Sequence, residues 1–506
     1  MSPPGPTQSR RGWDELAPVV LAFGVVTAIY GVNVALFLGK HPVPPEGSGG
    51  SRYYQRLAEG FAAGQLSFLE RPPAALMRVP DPYDPAQRTA AGLEPLLIHD
   101  ASVYDGRYYL PWGPFPAILL VPLEWLPPAA RPRVEDWVLV LLFAPALLAG
   151  IAGVLYRVKR SYFPDTPRWL LPVLTLASGL LFPTTIAVGR PMVYEASIFS
   201  GQALLLTGLL CAFLAVGQGG STGRMGLAGL CWGAALASRL TLLPSAGALV
   251  LCSLVWLWRA RPRGRHREFL APALALIVPV TGSGLLLLVY NQSRFGRALE
   301  FGLPYQMAGF NHMALRHHIQ SISYVLPNAV RYLFQPPHFG WTFPFLRPSG
   351  GAAFIHRVFE LPDYYNVDGV MSLPACASFL WLGSIPVRSL FHRSPEASPP
   401  LRLWLVPALI GGIVMGIPPM LTFFASIARY LLDFTPLAAV LAGIGAMEWL
   451  ARAPEGSPAR RRAAAVITGL AAASCLPGVL SGFACGTMVT GFGDFLLTLQ
   501  ALASRL

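Results

Sequence analysis

Charge is what this chain has least of. Only 12% of its 506 residues are Asp, Glu, Lys or Arg, against roughly 25% in soluble domains. With 54% hydrophobic residues, this excludes an ordinary soluble domain and implies a membrane protein. Cysteine is also scarce. There are six, with no CxxC pair or disulfide spacing, and Cys211, Cys231 and Cys252 lie inside apolar runs, so cysteine chemistry is not expected. No internal repeat is visible, which weakens a secondary-transporter reading. The first apolar run is too long for a cleaved signal peptide and lacks a small-residue cleavage site, so a retained helix is expected.

A helix needs about 20 apolar residues to cross the hydrocarbon core. Eleven stretches meet or approach that: 17–39, 136–156, 169–188, 196–217, 224–240, 241–258, 268–290, 369–387, 403–425, 430–450 and 463–484. Pro145, Pro172, Pro279 and Pro418 imply kinks that a bundle tolerates. The net charge of +13 comes almost wholly from arginine. Its placement reports topology rather than nucleic acid, and no nucleic-acid partner is expected. Arg10 and Arg11, Arg157 to Arg168, Arg224, the run at 259–267, Arg388 to Arg402, and Arg452 with Arg460–Arg462 share one side if 113–128 does not cross. That segment is short, rich in proline and interrupted by Glu124, so a juxtamembrane helix is expected there. The expected fold is all-α and polytopic, with about eleven spans, a cytoplasmic tail at 1–16 and an outer tail at 485–506. A transmembrane bundle covers 136–290 and further spans cover 369–484. The localisation that follows is integral to a membrane, with the N-terminus cytoplasmic.

Two long segments then face outward, 40–135 and 291–368. The first gathers Asp81, Asp84, His99, Asp100 and Asp105 with several tyrosines, an unusual concentration in so apolar a chain. Polar groups collected in one loop of a membrane protein mark a working surface; the alternative is a loop that only caps the bundle. Elsewhere, Arg190 and Glu195 bracket Tyr194 at an outer helix end. Arg239 lies in apolar sequence with no acid nearby, and Arg429 and Asp433 are four residues apart.

The motifs SRYYQRLAEGFAAGQL (51–66), YDGRYYLPWGPFPAILLVP (104–122), VYEA (193–196), YNQSRFGRALEFG (290–302) and RYLLDFTP (429–436) follow one another in order. With the layout of spans and loops, the chain resembles the polyprenyl-phosphate-sugar-dependent membrane glycosyltransferases of the GT-C fold. The nearest group is the bacterial arabinose, mannose and galacturonic-acid transferases. The resemblance implies a polyprenyl-phosphate sugar donor, a glycan, lipid or protein acceptor, location in the bacterial cytoplasmic membrane, and an active site on the outer face. It also implies a catalytic Asp just before the first Tyr-Tyr pair. This chain has Gly49, Gly50 and Ser51 there, so the acid must come from elsewhere in the loop or catalysis is absent.

Glycosyl transfer needs a base near the acceptor hydroxyl and positive charge near the departing phosphate. In Asp81-Pro-Tyr-Asp84-Pro the prolines stiffen a turn that can present both carboxylates, and Asp81 is the expected base ahead of Asp84, then Asp100 and Asp105. The competing reading is an Asp-Pro turn whose side chains bond its own backbone. No cofactor is assigned beyond a divalent metal, for which Asp81, His99 and Asp100 are the candidates. Tyr108, Tyr109 and Trp112 would stack on sugar or form an interfacial belt. Arg239 is the expected phosphate contact because it lacks a local partner. Arg429 is a candidate substrate contact, against the alternative that it and Asp433 neutralise each other across one helical face. Arg190, Glu195, Arg294, Arg297 and Glu300 are open between substrate contact and structure. Two other functions compete: a flippase for a lipid-linked sugar, and a catalytically silent relative that only binds one.

Overall fold

Inside a bilayer a chain can satisfy its backbone only as helix or closed barrel, and the apolar runs here form helices in a computed structural model. It describes residues 6–40, 52–260, 266–349, 353–391 and 400–487. The first helix, α1 (Pro6–Lys40), is followed by α2 (Tyr53–Ala62), α3 (Pro85–Ala90), the strands β1 (Ser102–Tyr104) and β2 (Arg107–Tyr109), and α4 (Phe115–Glu124). The bundle continues with α5 (Asp136–Tyr162), α6 (Leu170–Gly179), α7 (Thr184–Val188), α8 (Val193–Val216), α9 (Thr222–Ser238), α10 (Leu243–Arg259) and α11 (His266–Phe295). A second extramembrane segment carries α12 (His312–Leu315), α13 (Val325–Phe334), β3 (His338–Phe339), β4 (Leu346–Arg347), α14 (Ala353–Phe359) and β5 (Asn366–Asp368). The chain then forms α15 (Leu373–Cys376), α16 (Ser384–Phe391), α17 (Val406–Gly416), α18 (Pro418–Leu421), β6 (Ala425–Ile427), α19 (Thr435–Arg452) and α20 (Pro458–Thr487).

Among the described residues seven stretches are long and apolar enough to cross a membrane: Leu16–Gly39, Asp136–Tyr162, Val193–Val216, Leu240–Arg259, Glu268–Phe295, Leu401–Leu421 and Pro458–Ala484. The other four expected spans are shorter, interrupted or less apolar. The one at 169–188 is broken between α6 and α7 around Pro183. The one at 224–240 is α9, 17 residues long. The one at 369–387 begins beside a strand and is broken after α15. The one at 430–450 gives its first residues to a 3₁₀ helix, Ala428–Asp433, before α19. The span expected at 403–425 ends at Leu421, because Ala425–Ile427 pairs in parallel with Asn366–Asp368. Length and apolarity thus support seven of the eleven expected crossings among the described residues and leave the other four unconfirmed. The segment at 113–128 holds α4, whose 10 residues reach only about 15 Å, half of what a crossing needs.

Within the seven spans, the described charged residues all sit in the first or last two turns. A charged path through the midplane, which a flippase would use, is not formed by them. The core sits where α8 packs between α5 and α9, with Trp232 and Trp404 fully buried. Close helix contact depends on glycine. A Cβ at Gly229 would lie 2.4 Å from the Leu276 carbonyl oxygen on α11, and one at Gly233 2.4 Å from Ser283 Oγ, a small-residue seam of the kind that joins membrane helices.

The two extramembrane segments are bolted together. Asn311 Nδ2 donates to Asp81 Oδ2 at 2.8 Å, and fully buried Arg88 donates to the Ala308 carbonyl at 2.6 Å. Asp100 N and Met307 N cross between the segments, to Met307 O at 3.0 Å and Ala101 O at 2.9 Å. Asp105 and Gly106, with φ of 47° and 63°, make the tight turn of the β1–β2 hairpin, the Asp-Gly turn whose twist matches its strands.

When α6–α7, α9, the helical segment 378–391 and α19 are counted as crossings with the seven long spans, the basic clusters fall on one side and the extramembrane segments on the other. A thiol introduced at exposed Thr89 or at half-buried Ser349 is expected to react with a membrane-impermeant reagent from the outer side, whereas Ser102 is fully buried and would be shielded from it. Labelling of Ser161→Cys from that same side would overturn the orientation.

Candidate active site

Where the ends of α9, α11 and α18 meet the extramembrane segments, they enclose a cavity of about 540 Å³. Its walls are the 111–114 turn, the 238–241 turn, the last turns of α11, the 299–306 loop and the residues after α18. The turn comes so close to α9 that a Cβ on Gly113 would lie 2.2 Å from the Ala237 carbonyl oxygen, so glycine is required in Trp-Gly-Pro. Trp112, Phe301, Phe423 and Tyr430 supply aromatic surface, and Leu236, Leu287 and Met420 aliphatic surface. The charged lining is Arg239, Arg294, Arg316, Glu300 and Asp433.

Arg239 is in the cavity wall, but it is not the unpaired cation that the local sequence suggested. Its Nε donates to Asp433 Oδ1 at 2.6 Å and its Nη2 to Oδ2 at 3.0 Å, while Thr241 Oγ1 donates to Oδ2 at 2.8 Å. The acid is 194 residues away in sequence, beyond any local pattern. A bidentate pair fixes the plane of the guanidinium and spends two of its five N–H donors. The Nη1 donors have no protein acceptor among the described residues. The expected Arg429–Asp433 pair is absent, because 429–433 is 3₁₀, where residues four apart no longer share a face.

Arg429 is instead part of a second cluster that abuts the cavity. It lies 3.6 Å from Glu195 and 3.7 Å from Asp368, and Arg190 reaches the same Asp368 oxygen at 2.7 Å. Arg429 also stacks over Tyr194, 4.6 Å from the ring centroid. The Tyr194 hydroxyl donates to Asp100. Two rings join this cluster to the cavity. Trp112 lies edge-on to Tyr194 with centroids 5.0 Å apart, and Tyr430 sits between Arg239 at 5.8 Å and Arg429 at 5.6 Å.

The four loop aspartates thus separate by role. Asp81 accepts from Tyr83 N at 2.9 Å as well as from Asn311, and Asp84 accepts from Ala86 N at 2.9 Å and Gln87 Nε2 at 3.0 Å as the N-cap of α3. Both are consumed by turn and latch, and neither lines the cavity. Asp105 is exposed at its hairpin turn. Asp100 alone reaches the arginine cluster, and its backbone carbonyl accepts from Gln306 Nε2 at 3.0 Å, a residue of the cavity wall. Burial holds the Asp100 carboxyl above its usual range, opposed by the charges of His99 and Arg429.

Of the tyrosines, Tyr108 is buried and Tyr109 packs against Phe295 at 5.3 Å, so neither faces the cavity as Trp112 does. Arg294 lines the cavity but spends its Nη1 on the Leu110 carbonyl at 2.7 Å and its Nη2 on Asn291 Oδ1 at 2.6 Å. His99 Nε2 is 3.6 Å from Asp100 Oδ2, and Asp81 is held elsewhere by Asn311. Among the described residues no group of three or more His, Cys, Asp or Glu side chains could hold a metal. The five described cysteines, Cys211, Cys231, Cys252, Cys376 and Cys475, are free. Gly49, Gly50 and Ser51, where a catalytic Asp was missing, lie outside the described residues.

Several site residues carry no signal in the sequence. Asp368 ends the short strand β5 with nothing in the sequence to mark it, and Gln306 and Tyr430 are recognisable only from the cavity they line. Asp136 is another. Its carboxylate accepts from Tyr53 N at 3.2 Å and Tyr54 N at 3.3 Å, capping α2 from the start of α5, so the Tyr-Tyr helix has its acid in space rather than in sequence.

No family model matches the chain, and no curated protein is significantly similar in sequence. Among solved structures, it is similar to the archaeal oligosaccharyltransferase AglB from Archaeoglobus fulgidus in complex with an inhibitory peptide and a dolichol-phosphate. That likeness has 12% identity and a TM-score of 0.46, covering 94% of this chain and 56% of that one. It is also similar to ArnT from Cupriavidus metallidurans bound to undecaprenyl phosphate, with 15% identity and a TM-score of 0.40, covering 97% of this chain and 78% of that one. The chain thus spans just over half the length of the archaeal protein. Likeness of this depth leaves the chemistry to the cavity itself.

Proposed function

We propose that this protein transfers a sugar from a polyprenyl-phosphate donor to a hydroxyl acceptor at the membrane face where the cavity opens. The observation that carries the reading is Arg239, a guanidinium held rigid by Asp433 in a largely apolar and aromatic cavity, with its Nη1 donors unspent. Such a group offers paired donors to a phosphate without reorganising when negative charge develops on it. In the step, the acceptor oxygen attacks the anomeric carbon and the bond from that carbon to the phosphate oxygen breaks. The proton passes to Asp100, and polyprenyl phosphate leaves against Arg239. Asp100 does not itself line the cavity, but it is chosen over Asp81 because its backbone carbonyl holds Gln306 of the cavity wall, its carboxylate meets Tyr194, which packs on the cavity-lining Trp112, and its carboxyl is raised towards the working range of a base. Trp112 offers a face for the sugar.

Binding tests the reading without knowledge of the sugar or acceptor. Protein in nanodiscs is expected to retain polyprenyl phosphate in preference to the corresponding polyprenol, measured by mass spectrometry of the bound lipid. Equal retention of phosphate and alcohol would remove the phosphate site and the reading with it.

A further inference from the structure

Beyond the cavity, the second extramembrane segment carries an apolar surface that the proposed transfer does not use. The helix α13 is two-faced. Asn328, Arg331 and Tyr332 are buried on one side, while Leu326 and Leu333 stand on the other at 61% and 43% exposure, with Phe334 at its end at 72%. Ile322, one turn before the helix, extends the same stripe at 82% exposure, and the β3–β4 hairpin beyond it holds out Phe339 at 72% and Trp341 with its whole surface free. Single exposed apolar side chains need no explanation, but six of them within residues 322–341 do.

The attachments of this surface fix its depth. Asn328 Nδ2 donates to the carbonyls of Met420, Leu421 and Phe423 at 3.3, 2.8 and 2.8 Å. Those are the orphan carbonyls where the span Leu401–Leu421 ends. Ser372, just before α15, returns to α13 through N to the Gln335 carbonyl at 2.6 Å and Oγ to the Leu333 carbonyl at 2.6 Å. In the hairpin, Phe343 packs on Phe483 with ring centroids 6.0 Å apart, at the last turns of the span Pro458–Ala484. The outer ends of two spans therefore hold helix and hairpin at the level where hydrocarbon gives way to water. Met420 and Phe423 also line the cavity, so this is the membrane face on which the cavity opens.

We infer that the apolar face of α13 and the aromatic tip of the β3–β4 hairpin are seated in the lipid leaflet at that face, as an interfacial anchor beside the cavity. An amphipathic helix lying in the interface buries its apolar side among the upper acyl chains, and Trp and Phe at a hairpin tip suit the same zone. The occupant is lipid rather than a second protein because depth is set by span ends, and a protein partner would have to displace bilayer to reach the stripe. The inference is independent of the transfer chemistry and stands whether or not the cavity binds phosphate.

The test is photo-crosslinking in nanodiscs of phosphatidylethanolamine and phosphatidylglycerol, with benzoylphenylalanine placed singly at Phe339, Trp341 and, as a water-facing control, exposed Thr89 on α3. These side chains are solvent-exposed, so the substitutions leave the packing intact. Lipid adducts at 339 and 341, several-fold above the control and detected by mass spectrometry, are the expected result. A crosslinked second copy of the chain, an adduct to another protein, or lipid adducts no more frequent than at 89 would each overturn the assignment.

Discussion

Asp100→Asn is expected to lower turnover by about 10²–10⁴-fold, the usual loss for a general base, with folding in detergent unimpaired. Asparagine keeps the shape and can still meet the Tyr194 hydroxyl, but it cannot take a proton from an acceptor. Asp81→Asn and Asp84→Asn are expected to turn over near the parent rate, since their carboxylates serve a turn, a latch and a helix cap; each loss costs stability of about 1 kcal/mol. The pH profile adds an independent readout. Burial raises the Asp100 carboxyl, so the base becomes ionised at a higher pH than the ordinary carboxylate value of about 3.9. Activity should rise with pH through that raised value, and the acid limb should vanish in whatever activity the asparagine variant retains. For stability the sign is opposite. A group with a raised folded pKa favours the folded state below its unfolded pKa, and that contribution is lost as pH rises through the folded value. The variant should therefore gain stability relative to the parent as pH climbs above the carboxylate range. Full turnover by Asp100→Asn would exclude it as the base and leave Glu300, the cavity-lining carboxylate with no ion-pair partner among the described residues, as the next group to test.

Arg239→Leu is the other large effect, and its interpretation requires Asp433. Removing one partner of a buried pair strands the other, at a cost of about 3–5 kcal/mol in folding. The single variant is therefore expected to fold poorly as well as to lose activity. In the double variant Arg239→Leu, Asp433→Leu both charges are gone and a hydrophobic pair fills the space, a change that is often neutral for stability. It should recover the parent's melting temperature and still turn over about 10²–10³-fold more slowly, as expected when a preorganised electrostatic contact to the transition state is lost. Retention of polyprenyl phosphate should fall in parallel. A stable double variant with parental turnover would show that the pair is structural only.

Some of this protein was readable from residue order alone. Runs of about 20 apolar residues can only be helices in a bilayer, so the long spans were marked by length. The arginine clusters marked their ends. Glu124 and the prolines around α4 marked a helix too short to cross. Tertiary structure decided what the charges do. Arg239 read as unpaired because its acid is 194 residues away, and Arg429 and Asp433 read as a pair because a spacing of four suggests an α-helix that is not there. Asp81 read as a base because proline stiffens its turn, yet the same stiffness makes it a latch for Asn311 in the other segment. Asp100 carried no better local signal than its neighbours. Its contacts with Gln306 and Tyr194, behind the cavity wall, exist only where two extramembrane segments and several helix ends meet. An ion pair is a contact in space, and its energy depends on burial and distance; local spacing encodes neither unless both partners share one element.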